Sequence, residues 1–148
     1  MRQAALFLHV LADIVWIGGM FLAYVCVRPA AAALEPPQRL TLWAGIFSRF
    51  FPWVWAAVAT LLLTGFGLIG HLPVVPGYIV AMALIGVVMA AIFVYIVFIP
   101  FAQLKTCVAN QDWKPAGAAL NRIRQLVATN LTLGILNVAT AMLGPLLG

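Results

Sequence analysis

Two ionisable residues, His9 and Asp13, lie within the first long hydrophobic stretch of the chain, which runs from Ala4 to Val27. A helix rises about 1.5 Å per residue, so about 20 apolar residues cross the roughly 30 Å hydrocarbon core of a bilayer. The stretch is therefore predicted to be a transmembrane helix. An ionised carboxylate at the centre of a membrane costs at least about 3 kcal/mol on insertion scales, and ionisable groups at that depth usually have a function. His9 and Asp13 are the first candidates for a functional site.

The chemistry available to this pair starts from the imidazole, which binds copper, zinc or haem iron. The carboxylate can bind the metal itself, or it can accept a hydrogen bond from the ligating imidazole and fix its ring. Alternatively, the two side chains form a hydrogen-bonded pair that only orders the structure. Trp16, Met20 and Tyr24 continue the same helix face at spacings of three and four. This face is expected to point into the protein, with Trp16 and Met20 supporting the pair or simply packing.

A metal ion at His9 needs further ligands from other helices, because Met20 is eleven residues and about 16 Å away along its own helix. A methionine thioether suits Cu(I). Tyr78 and Met82, near the start of the third hydrophobic stretch, are predicted to lie at a compatible depth, although Met82 also fits ordinary core packing. His71 lies in a connection rich in glycine and proline, where it either collects metal ions or is simply solvated.

The composition excludes most other classes of protein. Of the 148 residues, 66% are hydrophobic and 7% are charged, against about 25% charged residues in soluble proteins. The mean hydropathy of +1.13 likewise indicates an integral membrane protein. The net charge of +5 does not indicate nucleic-acid binding, because the basic residues are spread over the connections between hydrophobic stretches. Two cysteines are too few for a disulfide framework.

The hydrophobic stretches predict an all-α membrane bundle of four transmembrane helices, which forms a single domain over residues 1–148. The predicted spans are residues 4–27, 51–69, 78–98 and 126–143. The first and third connections contain seven of the eight basic residues, and the opposite side contains only Arg2. The positive-inside rule therefore predicts that both termini are periplasmic. His9 then lies roughly 8 Å, and Asp13 roughly 14 Å, below the outer membrane surface.

The connections and the second span carry further predictions. Pro36 and Pro37 are expected to break any helix in the first connection. Because the second span is predicted to begin at Phe51, Pro52 is expected near its first turn, where the missing N–H costs nothing. Asp112, followed three residues later by a proline, is typical of a helix start and predicts that residues 116–126 extend the fourth span. The small and hydroxyl residues of the second span are interpreted as packing residues; these are Thr60, Thr64, Gly65 and Gly67.

The segments LHVLADIVWIGGMFLAYVCVRP and RFFPWVW resemble the copper resistance protein D (CopD-like) membrane family. The resemblance covers nearly the whole chain. It implies a multi-helical inner-membrane protein associated with copper uptake or tolerance, in which His9 matches the histidine of the first span. More distantly, the chain is similar to the HemJ-type protoporphyrinogen oxidases, which bind haem b and have a second histidine near the start of the third span. In the HemJ-type proteins a lysine follows that histidine. This chain has GYIVAM at the start of its third span, with neither a histidine nor a lysine.

We therefore expect an inner-membrane CopD-like protein that handles copper through an intramembrane site near His9. The alternatives are a haem b-binding redox protein, which would be an oxidoreductase, and a non-catalytic structural membrane subunit. The metal-site candidates are His9, Asp13, Met82 and His71, with Trp16, Met20 and Tyr78 around them. The expected partners are the lipid bilayer and either a second copy of the chain or a periplasmic copper-carrying protein, but no nucleic acid.

The predicted orientation can be tested with reporters fused to the C terminus. A reporter that works only after export should be active, and one that works only in the cytoplasm should be inactive, because the positive-inside rule places this terminus in the periplasm. The opposite pattern would place His9 near the cytoplasmic surface instead.

Overall fold

The structure is a computed structural model that describes residues 1–147. Its helices are α1 (Arg2–Phe21), a π-helical segment (Leu22–Val27), α2 (Arg28–Ala31), α3 (Pro36–Ile69), α4 (Gly77–Phe98), α5 (Pro100–Ala109) and α6 (Trp113–Leu147). No strand occurs within these residues. The segments form four rods of 30 to 34 residues that are long and apolar enough to cross a membrane. This confirms the predicted all-α bundle of four transmembrane helices.

Each rod is longer than a bilayer requires. At about 1.5 Å per residue the rods measure roughly 45–50 Å, against a hydrocarbon core of about 30 Å. The excess over the predicted spans lies mainly at the end that holds the turns at residues 32–35 and 110–112. We call this the inner end, after the predicted orientation, and the end that holds Met1 and the connection at residues 70–76 the outer end.

The long α3 corrects the prediction for the first connection. Pro36 and Pro37 begin the helix instead of breaking it, since a proline at the first helical positions loses no hydrogen bond. Pro52 consequently lies inside α3, not near its first turn. The helix continues through Pro52 because its buried residues form one unbroken stripe against the other helices. The stripe consists of Leu40, Trp43, Phe47, Phe51, Val54 and Val58.

Other prolines shape the remaining rods. Pro29 has no N–H to donate to a preceding carbonyl, so the regular hydrogen-bond pattern of an α-helix is interrupted before it. The π-helical segment lies at this place, immediately before Arg28 and Pro29. Ile99, with φ −111° and ψ −82°, separates α4 from α5 directly before Pro100. By contrast, α6 continues past Pro145, which lies in its last turn, beyond the predicted end of the fourth span.

The start of α6 was predicted correctly. Gln111 has a φ of 55°, a left-handed conformation that reverses the chain after α5. The helix then begins at Trp113, directly after Asp112. It runs without interruption through residues 116–126 into the fourth span, which confirms the predicted extension.

The helices pack as two pairs that join at the inner half of the bundle. α1 packs mainly against α3, and α4 packs mainly against α6. Rings of α3, α4 and α5 join the pairs: Phe51 lies with its ring centroid 5.5 Å from that of Phe93 and 4.8 Å from that of Phe101. Within residues 1–146, no residue is buried in the outer parts of the helices, which are residues 1–11, 59–69, 77–88 and 135–146. The outer end is therefore the more loosely packed half.

Neighbouring glycines of α1 provide a test of the α1–α3 contact. A Cβ atom at Gly19 would overlap the ring of Phe50, whereas one at Gly18 would meet nothing within 4 Å. Gly19→Ala should lower the free energy of unfolding by about 1–3 kcal/mol through overpacking. Gly18→Ala should leave it unchanged or raise it by up to about 1 kcal/mol, because alanine favours the helix. Thermal unfolding of both variants in mild detergent measures the difference, and equal midpoints would contradict this packing.

Candidate functional site

His9 lies near the outer end of α1 and contacts α3. Its Nδ1 atom is 2.8 Å from the hydroxyl oxygen of Thr64. Gly65, the next residue of α3, leaves room for the ring, since a Cβ atom there would lie 3.3 Å from Cε1 of His9. The imidazole is half-buried. The structure thus fixes this ring between two helices without enclosing it.

The hydrogen bonds of Thr64 determine which nitrogen of His9 carries the proton. A threonine hydroxyl has one proton and two lone pairs. The Thr64 hydroxyl is 2.6 Å from the carbonyl oxygen of Thr60, which can only accept, so it donates its proton there. It therefore accepts a hydrogen bond from Nδ1–H of His9. In the neutral ring, Nε2 then has a free lone pair, which is the state a metal-binding histidine requires.

Asp13 lies one turn further inward on the same helix and is half-buried, between the buried residues Ala12 and Trp16. Within residues 1–147, the hydrogen-bond partner of His9 is Thr64 and not this carboxylate. Ile17, one turn beyond Asp13, packs on Gly134 of α6. Because α1 and α6 run in opposite directions, Asp13 is level with the turn of α6 that follows Gly134. That turn contains Asn137, whose Oδ1 atom is buried without a hydrogen-bond partner.

The other candidate residues lie at different places. Tyr78 and Met82 are half-buried near the outer end of α4, in the second helix pair, where Tyr78 packs on Gly144 of α6. His71 is exposed in the connection between α3 and α4. Trp16 and Met20 are buried. In the part of the chain that the structure describes, no group of three His, Cys, Asp or Glu side chains is placed to hold a metal ion.

Thr64 and Gly65 were predicted to be packing residues, so the partners of His9 were not predicted. A depth comparison could have found them. His9 is five residues from Ala4, where the first span is predicted to begin, and Thr64 is five residues from Ile69, where the second is predicted to end. Both positions are therefore about 8 Å below the outer surface. A hydroxyl at the depth of a histidine is a natural hydrogen-bond partner in a membrane, where no water competes.

Surface shape alone does not identify this site. One groove, of about 720 Å³, lies on the inner part of α3 and near the start of α6, between Pro37, Arg49 and Trp113 among others. Its lining is mainly apolar and contains no histidine, cysteine or carboxylate. The candidate site therefore rests on the chemistry of His9 and not on a cavity.

Comparison with known families identifies a relationship of this chain. The family described as copper resistance protein D matches residues 44–143, which is most of the chain and includes nearly all of the helices from α3 onwards. The chain belongs to the copper resistance protein D (CopD) family. Neither the curated proteins nor the solved structures include a match. As a CopD-family chain with four membrane-crossing rods, it is a multi-pass membrane protein related to copper resistance.

The match with the CopD family includes Thr64 and Gly65 but not α1. His9 and Asp13 therefore lie outside the matched residues. Their assignment to the site depends on the geometry described above, in which Thr64 of the matched helix α3 bonds to the ring of His9 on the unmatched helix α1.

Removal of the Thr64 hydroxyl tests the arrangement. Thr64→Val keeps the shape of the side chain but leaves Nδ1–H of His9 without an acceptor, so the free energy of unfolding should fall by about 1–3 kcal/mol. Thr60→Val is the matched control, because that hydroxyl bonds only to the carbonyl of Ala56 in its own helix. Nitrogen NMR of labelled histidine should report the Nδ1–H tautomer of His9 in the wild type and in Thr60→Val. An Nε2–H tautomer in the wild type would contradict the assignment.

Proposed function

We propose that this CopD-family protein handles copper ions at or across a bacterial inner membrane, with Nε2 of His9 as a ligand. Two observations support the proposal. Membership of the copper resistance protein D family connects the chain with copper. The hydrogen bond from Nδ1–H of His9 to Thr64 orients the ring and leaves Nε2 free, and this is the observation that carries the proposed site. Copper is here the cargo of the protein.

The position of His9 suits an ion that arrives from the outer end. The ring is half-buried in the loosely packed half of the bundle, roughly 8 Å below the predicted outer surface. Imidazole and thioether groups together suit Cu(I). We propose Met82, at a similar depth on α4, as the second ligand, and His71 as a residue that collects ions before they enter. A periplasmic copper-carrying protein or a second copy of the chain would supply the ion or complete its coordination.

Asp13 has an electrostatic part in this proposal. A copper ion that leaves water for the bundle loses its hydration, and an ion in a medium of low dielectric constant needs a nearby opposite charge. Asp13 is one helical turn inward of His9, and its carboxylate is the acidic group nearest to His9 in the sequence. We propose that it compensates the charge of the ion, either directly or through a water molecule.

Copper binding by purified variants tests the proposal. His9→Ala should abolish the binding of Cu(I), measured by competition with a chelator of known affinity. His71→Ala is the matched control and should keep most of the affinity, because that side chain is exposed in a connection. Asp13→Asn and Thr64→Val should each weaken binding by about 10–100-fold, as expected for groups that support a ligand without replacing it.

The same samples separate this function from the alternatives. A visible spectrum with a Soret band that is lost in His9→Ala would favour the haem-binding redox protein. Neither copper nor haem in the wild type would favour a structural subunit. Equal destabilisation of His9→Ala and Asp13→Asn, with full copper binding by the folded fraction of each, would show that the two residues are structural and would remove His9 from the site.

A further inference from the structure

Three arginines from three different segments lie together at the inner end of the bundle. They are Arg28 at the start of α2, Arg39 in the first turn of α3, and Arg124 in α6. Burial, and after it the positive charges of Arg28 and Arg39, lower the pKa of the Arg124 guanidinium, so both arginines lie within electrostatic reach of Arg124. We call these three residues the arginine cluster. It lies outside the site at His9 and contributes no copper ligand.

The helix register explains why the three arginines meet. Ile17 packs on Gly134, and from that contact Arg28 is eleven residues along α1 and its continuation, while Arg124 is ten residues back along the antiparallel α6. Both are therefore about 15 Å inward of the contact and at the same level. Arg39 reaches this level from the other side of the turn at residues 32–35, where its Nη1 atom donates to the carbonyl oxygen of Leu34 at 3.3 Å.

The cluster is not balanced by acidic residues. The chain has only three of them, Asp13, Glu35 and Asp112. Glu35 is exposed in the turn beside Arg39, and Asp112 is exposed at the far tip of the inner end. The three guanidinium charges thus exceed the single carboxylate that lies in their turn.

Some hydrogen-bond donors of the cluster also lack acceptors. The Nε atom of Arg124 is buried and has no hydrogen-bond partner among the described residues. Arg28 lies over the ring of Tyr24, with 4.9 Å from its guanidinium carbon to the ring centroid, an arrangement that holds it in place but uses no N–H group as a conventional donor. Buried donors of charged groups are normally paired, and guanidinium groups match the geometry of phosphate oxygens.

The depth of the cluster indicates the source of such an anion. Arg28 directly follows the first predicted span and Arg124 directly precedes the fourth. Both therefore lie where the phosphate groups of a phospholipid leaflet lie, just outside the hydrocarbon core. Basic pockets between transmembrane helices on the cytoplasmic side bind anionic lipid headgroups in general.

We propose that the arginine cluster binds a phosphate oxyanion, supplied by the headgroup of an anionic phospholipid. The phosphate oxygens accept hydrogen bonds from the guanidinium groups of α2, α3 and α6, and their charge offsets the repulsion among the three arginines. One headgroup then connects the two helix pairs at the inner end. The binding is non-covalent and independent of copper.

The test uses the full chain, purified in mild detergent and stripped of lipid. Thermal unfolding is followed while phosphatidylglycerol, phosphatidylcholine or inorganic phosphate is added. Phosphatidylglycerol should raise the unfolding temperature of the wild type in a saturable way, and phosphatidylcholine should not. Arg124→Gln and Arg28→Gln should each weaken the apparent affinity for phosphatidylglycerol by about 10–100-fold, because each removes charge-assisted hydrogen bonds.

The matched control is Arg122→Gln, which makes the same change of net charge two residues away on the same helix. Arg122 lies over the ring of Tyr95 of α4, 5.5 Å from its centroid, and residues two apart on a helix do not share a face. The Arg122→Gln variant should bind phosphatidylglycerol as tightly as the wild type does. If inorganic phosphate alone stabilises the wild type, and this effect is lost in Arg124→Gln and Arg28→Gln, the site binds phosphate but a soluble anion supplies it.

Two results would overturn the proposal. If Arg122→Gln loses as much affinity as Arg124→Gln and Arg28→Gln, the attraction depends on net charge and not on a site. If neither lipid nor phosphate stabilises the wild type, the cluster binds no phosphate. Each variant should fold without a bound anion, because each substitution relieves repulsion among the arginines. If one of them does not fold, Arg39→Gln is used in its place. Their unfolding temperatures without lipid provide the baseline for each comparison.

Discussion

The bilayer requires the polar groups of these helices to find partners inside the protein. Most hydroxyl groups meet this requirement within their own helix, by donating to the carbonyl four residues earlier, as Thr60, Thr132 and Thr140 do. Two side-chain hydrogen bonds among the described residues cross between helices. His9 bonds to Thr64 and ties α1 to α3, and Asn130 donates to the carbonyl of Met89 and ties α4 to α6. Each helix pair is thus joined by one side-chain hydrogen bond between its two helices.

Apolar contacts, by contrast, hold the two pairs together. The rings of Phe47, Phe51, Phe93 and Phe101 lie with neighbouring centroids 4.8–6.1 Å apart, and Trp16 of α1 adds an edge contact with Phe93 at 6.2 Å. All these residues lie in the middle or the inner half of the bundle. Among the residues that the structure describes, the outer half has no such cluster, so the two pairs meet closely only towards the inner end. This difference leaves the ring of His9 fixed by α3 and still reachable.

Hydrophobicity and charge were enough to predict the number of rods and their apolar character, because the requirement for a long apolar helix leaves few alternatives. They did not predict the inner part of α3. Leu40, Trp43 and Phe47 repeat at helical spacing, but among polar residues and after two prolines that pattern was less prominent than the prolines themselves.

The site was predicted only in part for a related reason. Sequence spacing relates His9 to Asp13 on one helix, whereas the partner of Nδ1 is 55 residues away.

The hydrogen bond to Thr64 is compatible with a structural role, yet it leaves two features of α1 without a structural explanation. Holding Thr64 needs a single donor, which the amide of a glutamine or asparagine would also provide. A histidine adds a second nitrogen, and that nitrogen is the one left free. Asp13 then places a carboxylate one turn inward, at a depth where an unpaired charge is costly. These two features, a free imidazole nitrogen and a carboxylate one turn away, are the ones that the proposed copper site uses.

The charge distribution along the bundle connects the two ends. At the proposed site a copper ion would be near the carboxylate of Asp13, but an ion that moved inward would approach the charges of Arg28, Arg39 and Arg124. In a medium of low dielectric constant that repulsion is far larger than in water. A phosphate bound among the arginines would cancel much of it. For a copper ion that crosses the membrane through this bundle, the proposed phospholipid phosphate at the inner end would therefore lower the electrostatic barrier without touching the ion.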